Sequence, residues 1–462
     1  MRDRVRRARG ALVAVALAVA VTAGGIFTVT RSGGGGDGGK PAPPQRANLW
    51  IDDDGGSCAR HDPPAVYVDS QACPPPNRGL AQPQNMRGWD NARSGDLVLV
   101  VDRPGAHDYP TLTLGPERKT VTYRAASGRP SFNGAVLSCD NCTVDGFTFW
   151  GQTSGPASEG EYAVCNEAGF GNYLDATVAV CGVADVLNFE VDGENEGGPG
   201  ACPNAIELSD RGVASPANGA RFVRGSVHGY RDAKGFNGAL AYGLIDGVTF
   251  SEITRPATCN PDPHNECLWV STLTRSTIRN SRFLECPTQG ILISDLGGPD
   301  WTGFILEGNV FTHSVEGTPG SHAWHASPVG ITASSALPRV DWTVRYNTFE
   351  TTPGLSSAPG SSGSVWYGNL GGAACGLTGF TYHHNVGETC GGANSVPLSP
   401  AVNTAAQPDQ VTCWTDAPAG DFTLTPSCAA IGAGDPSHVP ATDLFGTRRS
   451  RPPDAGAVQH AP

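Results

Sequence analysis

Charge is scarce in this sequence: only 16% of its 462 residues are Asp, Glu, Lys or Arg. Long solvated helices need dense charge on one face, so they are disfavoured here. A hydrophobic content of 39% excludes general disorder. Basic residues are the scarcer sign, 31 against 44 acidic, which leaves a net charge of −13. No basic patch follows the first ten residues. That excludes nucleic acid as a partner, and an acidic polysaccharide would need a local cluster of cations to approach. Serine-hydrolase elbow, phosphate loop, dinucleotide fingerprint and zinc-protease motif are all missing. What is plentiful is glycine (61) and proline (37), the composition of many short strands joined by turns.

The chain opens with five arginines in Met1–Arg9, followed by an uncharged run from Gly10 to Thr30. This pattern fits a signal peptide, with Val21-Thr22-Ala23 as a small-residue cleavage site. It equally fits an uncleaved anchor, since a span takes about 20 residues. Either way the remainder is sent outward, to be secreted or held at the cell surface, and the membrane is met only through this segment. A glycine- and proline-rich linker over 31–47 follows. The fourteen cysteines agree with export, because many sit at short, similar intervals: Cys58/Cys73, Cys165/Cys181, Cys267/Cys286, Cys375/Cys390 and Cys413/Cys428. Cys139-Asp140-Asn141-Cys142 has the form of half a zinc site, but no second ligand pair lies nearby, which favours a disulfide.

A six-residue unit recurs, apolar at its first and last positions and often Gly or Asn at its third. Copies are Val144–Phe149, Ile245–Phe250, Ile278–Phe283, Leu306–Phe311 and Val344–Phe349, with looser ones at Val186–Val191, Val365–Leu370 and Thr381–Val386. A second strand of alternating apolar residues precedes several copies, at Ala205–Ser209, Leu268–Ser271, Ile291–Ser294 and Ile331–Ser334. Hairpins would show two-residue turns, and a propeller would keep an even period of 40–50 residues. The polar spacers here are longer and uneven, which predicts a parallel coil whose turns stack strand on strand. Glycine or asparagine at the third position suits a left-handed backbone at a sharp bend.

Gly95–Val100, Lys119–Gly128 and the tail motifs Asp421–Leu424, Ala430–Asp435, Asp443–Gly446 and Asp454–Ala457 resemble secreted bacterial β-helix proteins of the pectate-lyase-like superfamily. The resemblance runs from about Asn48 to Gln459. It implies an all-β, right-handed parallel β-helix over 48–410, a short capping helix near Pro83–Arg93, and a C-terminal capping segment and tail over 411–462. Its further implications are an extracellular polysaccharide as partner, a monomeric state and Ca2+ as cofactor. The short signatures of pectate lyases and polygalacturonases are absent.

Asp262, His264 and Glu266 alternate into a strand and so share a face, where a histidine between carboxylates suits general-base work or a cation. Asp262-Pro263-His264 resembles part of the Asp-Pro-His-Asp motif of alginate C5-epimerases, with Asn265 in place of the last Asp. The plain alternative is a polar loop tying adjacent coils. Gln289 holds the equivalent position one coil on, so a polar ladder is expected to continue there. Arg279 and Arg282 suit a carboxylated sugar or a solvated surface, and His325 follows a tryptophan that suits stacking on a sugar or anchoring its own loop. His383-His384 falls in the strand–turn repeat, and His228 in a polar insertion. The expected function is binding, and modification as a lyase, C5-epimerase or hydrolase, of an extracellular polysaccharide. A non-catalytic glycan-binding or adhesive envelope protein is the alternative.

Overall fold

The computed structural model describes residues 45–52, 59–72, 92–102, 109, 112–114, 120–150, 176–193, 204–208, 219–230, 234–253, 266–284, 286, 288–294, 301–312, 331–333, 337–397, 413–417 and 419–460. Residues Gln45–Pro462 make up one structural unit. Its body is a parallel β-helix. Eight strands form one parallel sheet in strict chain order: Leu112–Leu114, Ala135–Leu137, Ala176–Val180, Asn204–Leu208, Phe236–Ala239, Leu268–Thr272, Ile291–Ile293 and Ile331–Ala333. Only a coil that climbs one turn at a time produces that order with every pair parallel. A larger set of strands, from Leu49–Ile51 to Val396–Pro397, carries the other walls of the same coils. Antiparallel pairs occur at the two ends, Arg46–Ala47 with Ala65–Val66 and Trp414–Asp416 with Asp421–Leu424.

The six-residue unit is the corner of each coil. Its third residue has positive φ throughout: Gly146, Asn188, Gly247, Asn280, Gly308, Tyr346, Gly368 and His384 lie between 50° and 89°. Two expected copies are corrected by one residue. Val344 pairs with Trp366 and Trp366 with Tyr382, so the last units begin at Trp366 and Tyr382 rather than at Val365 and Thr381. Bulky aromatics at the first position and Gly371 and Gly387 at the last obscured them. One further copy, Phe222–Val227, pairs with Val186 and turns at Arg224 (φ 56°).

Inside the coils like residues stack. Phe250, Phe283, Phe311 and Phe349 run face to face at 5.3, 4.5 and 5.0 Å, their planes within 13° of one another. The fourth position of the unit carries a buried asparagine ladder that the sequence pattern did not reveal. Asn309 Nδ2 donates to Asn347 Oδ1 (3.0 Å), Asn347 Nδ2 to Asn369 Oδ1 (3.1 Å) and Asn369 Nδ2 to Asn385 Oδ1 (3.3 Å). Each Oδ1 also accepts a backbone N–H of the coil before, as Asn347 Oδ1 does from Asn309 N (3.0 Å). The corners thus satisfy buried backbone groups that strand pairing leaves open.

Disulfides join Cys139–Cys142, Cys267–Cys286, Cys375–Cys390 and Cys413–Cys428. Cys181 is also disulfide-bonded, while Cys58, Cys73 and Cys165 lie outside the described residues. The last segment packs Trp414, Phe422, Leu424, Ala455, Ala457 and Val458 against Val310, Leu370 and Val386 of the coils. The expected capping helix at Pro83–Arg93 falls outside the described residues up to 91. Among the described residues no helix is long and apolar enough to cross a membrane, and Gly10–Thr30 lies outside them.

Candidate functional site

Three polar constellations stand on the outside of the coils. The first lies at the leading edge of the eight-stranded sheet. Phe236 pairs with Leu268 and Leu268 with Ile291, which sets Lys234, Glu266 and Gln289 at equivalent positions two residues earlier on three successive coils. Backbone bonds fix the stack: Gly235 N donates to Glu266 O (3.1 Å) and Cys267 N to Gln289 O (3.1 Å). Glu266 is buried at 2% exposure, whereas Lys234 and Gln289 are half-buried. Lys234 Nζ sits 3.7 Å above the Trp269 ring, whose indole N–H donates to Ser294. Burial pulls the Lys234 pKa below its ordinary value, and attraction from Glu266 and Glu207 only partly offsets that. The adjoining outward row runs Glu207, Asn237, Trp269, Leu292, with Asn237 Nδ2 donating to Glu207 Oε1 (3.3 Å).

The second constellation is the outward row at the second position of the unit: Asp246, Arg279, Glu307, Arg345, Tyr367, His383. Its charges alternate and pair. Arg279 Nη2 lies 2.8 Å from Asp246 Oδ2, and Arg345 pairs with Glu307. The hydrogen bond to Asp246 holds the Arg279 pKa above its ordinary value. Arg345 Nη1 also donates to the Tyr367 hydroxyl (3.0 Å), and the Tyr367 ring stacks on His383 at 4.8 Å.

A third group joins Glu190, His228 and Arg129. His228 Nε2 is 3.1 Å from Glu190 Oε1, Arg129 Nη1 is 3.0 Å from Glu190 Oε2, and His228 Nδ1 is 3.6 Å from Asp192. The His228 hydrogen bond is the chief cause that holds the Glu190 pKa at about 2, and the same bond raises that of His228. Neither the spacing nor the residue types of the sequence joined these three residues, because Arg129 and His228 are 99 positions apart and meet only through coil stacking.

Asp262, His264 and His325 lie outside the described residues. Glu266 and Gln289 share the first constellation. Arg279 belongs instead to the paired row, and Arg282 lies across the Phe445 ring at 5.0 Å, with its pKa lowered by burial. The residue that sequence reading missed is Lys234. It lies in the polar insertion that follows His228, and its relation to Glu266 depends on which residues stack.

No family model matches the chain, and no curated protein matches it. Among solved structures it is similar to the pectate lyase Pel9A, at 12% identity over 80% of this chain and 89% of that one, with a TM-score of 0.40. It is also similar to the Dettilon tailspike protein, at 10% identity over 64% of this chain and 57% of that one, with a TM-score of 0.27.

Proposed function

We propose that the chain is an exported protein, secreted or held at the cell surface through its N-terminal segment, that binds an extracellular polysaccharide and modifies it at the Lys234–Glu266–Gln289 stack. One observation carries this reading: a half-buried lysine with a weakened hold on its proton stands in register with a buried carboxylate, beside an aromatic and amide-bearing row. Burial moves the amine in the direction a general base needs, towards easier loss of its proton. Such a base suits removal of the proton next to a sugar carboxylate, the shared first step of lyase and C5-epimerase chemistry. Glu266 keeps the amine oriented, and Gln289 and Asn237 supply hydrogen bonds to hydroxyls. Asp262 and His264, which precede Glu266 at alternate positions in the sequence, and His325 are proposed as further residues for the glycan.

The test compares the full chain with a Lys234→Met variant on a glycan array, followed by turnover of the glycans bound. Retained binding with turnover lowered about 100-fold or more supports the lysine as base. Unchanged turnover in the variant sinks the assignment. Binding without turnover by the unaltered chain gives the non-catalytic glycan-binding reading instead.

A further inference from the structure

The paired outward row ends in a cluster that its charge matching does not explain. His383 and His384 come from the last regular corner, and Asp435 reaches them from the C-terminal segment. One ligand-capable atom from each of the three lies within 4.8 Å of the others. We propose that His383, His384 and Asp435 bind a divalent transition-metal ion of the zinc class, fastening the C-terminal segment to the final coils.

Two of the three separations come close to those around a shared ion, and the third lies within 4.8 Å. His383 Nδ1 and His384 Nδ1 face each other at 3.0 Å, and Asp435 Oδ2 is 3.7 Å from His383 Nδ1. Ligands about 2.0–2.1 Å from a zinc ion stand roughly 3–3.5 Å from one another. Two imidazoles and one carboxylate, with a position left open, make up the donor set that borderline cations favour; calcium prefers oxygen throughout.

The surroundings orient each ligand. Asp435 is 3% exposed; its Oδ1 accepts the Ser437 N–H (2.8 Å), and the Tyr346 hydroxyl donates to its backbone carbonyl (2.5 Å). His438 Nδ1 lies 3.0 Å from Asp435 Oδ2 on the outer side. The Tyr367 ring fixes the plane of His383 by stacking at 5°. Asn394 Nδ2 is 3.3 Å from His384 Nε2. Exchanging the amide oxygen and nitrogen of Asn394 turns this contact into an Nε2–H donor bond, the support that a metal-bound imidazole requires. His384 itself occupies the left-handed corner (φ 53°) that glycine or asparagine fills in most coils, which costs backbone energy a histidine must offset by some other contact. Arg345, whose Nη1 reaches the His438 carbonyl at 3.5 Å, is itself paired with Glu307.

The rival account is an N–H···N hydrogen bond between the two imidazoles with no ion. Calorimetric titration of the chelator-treated full chain with Zn2+ separates the two. One Zn2+ per chain is expected, weakened at least about tenfold in Asp435→Asn and in His384→Asn, which keeps a residue tolerant of the left-handed corner. The exposed His438→Ala variant should lose less. X-ray absorption of the zinc-loaded unaltered chain reads the ligands directly and needs no variant to fold: two imidazoles with oxygen are expected. No zinc uptake, a shell without imidazole, or folded variants that bind as the unaltered chain does would overturn the proposal.

Discussion

Two stacks of charge on the same coils obey opposite rules. In the row Asp246–Arg279–Glu307–Arg345 each charge faces its opposite on the next coil, partly exposed at Asp246–Arg279 and mostly buried at Glu307–Arg345. At the leading end of the eight-stranded sheet's strands Lys234 is attracted by Glu266 and Glu207, and its burial still weakens its hold on the proton. A matched pair near solvent such as Arg279–Asp246 contributes little and costs little, and the mostly buried Arg345–Glu307 pair offsets its own desolvation by direct contact, so the row serves as scaffold. A lysine drawn out of water costs stability, and groups perturbed in this way are enriched at functional sites. The Glu190–His228–Arg129 group lies between these cases, since it is partly exposed yet strongly coupled.

The largest effect should come from removing what the paired row stands on. Phe311 is fully buried between Phe283 and Phe349, so Phe311→Ala should cost about 3–5 kcal/mol, read from denaturant unfolding. A loss under about 1 kcal/mol would mean that the coils yield around a cavity, and that the row does not depend on its interior. Next is the corner ladder. Asn347→Ala strands the Asn309 N–H and side-chain amide, and a loss of about 2–3 kcal/mol is expected in the same assay.

Acid and base test the intermediate group. Glu190 is held at about 2 against 4.5, so its contribution is present above pH 4.5 and fades as pH falls towards 2. His228 is raised above 6.5, so its contribution is full below 6.5 and fades as pH rises through the folded value. The pair is therefore most stabilising between about pH 4.5 and 6.5. Thermal unfolding across pH should show this maximum, and His228→Gln should flatten its alkaline side; an unchanged profile would remove the pair from the account. The smallest effect is expected for Arg279→Ala, below about 1 kcal/mol, with glycan binding intact. A large loss of binding there would move the sugar site onto the paired row and reverse the contrast with Lys234.

Much of the architecture was legible because a coil writes its period into the chain. Apolar residues at the ends of Ile245–Phe250, Ile278–Phe283 and Leu306–Phe311 must face one interior, and Gly247, Asn280 and Gly308 mark the bend. The register of Glu266 with Gln289 could be read the same way, since Leu268 and Ile291 are flanked alike. The asparagine ladder was not legible, because polar residues at a corner read as solvated until their burial is known. Arg279 suits a carboxylated sugar or a solvated surface in the sequence, and its ion pair was not legible because Asp246 is 33 residues away and comes opposite only when the coils stack.

By itself, then, the sequence determined the repeating corner and the parallel stacking it demands, both of which depend on local periodicity and backbone sterics. Which polar groups meet was decided by tertiary structure alone. Insertions of uneven length separate equivalent positions on successive coils. Register restores those positions to neighbouring strands, and so turns Lys234 and Glu266, or His383 and Asp435, from distant residues into neighbours.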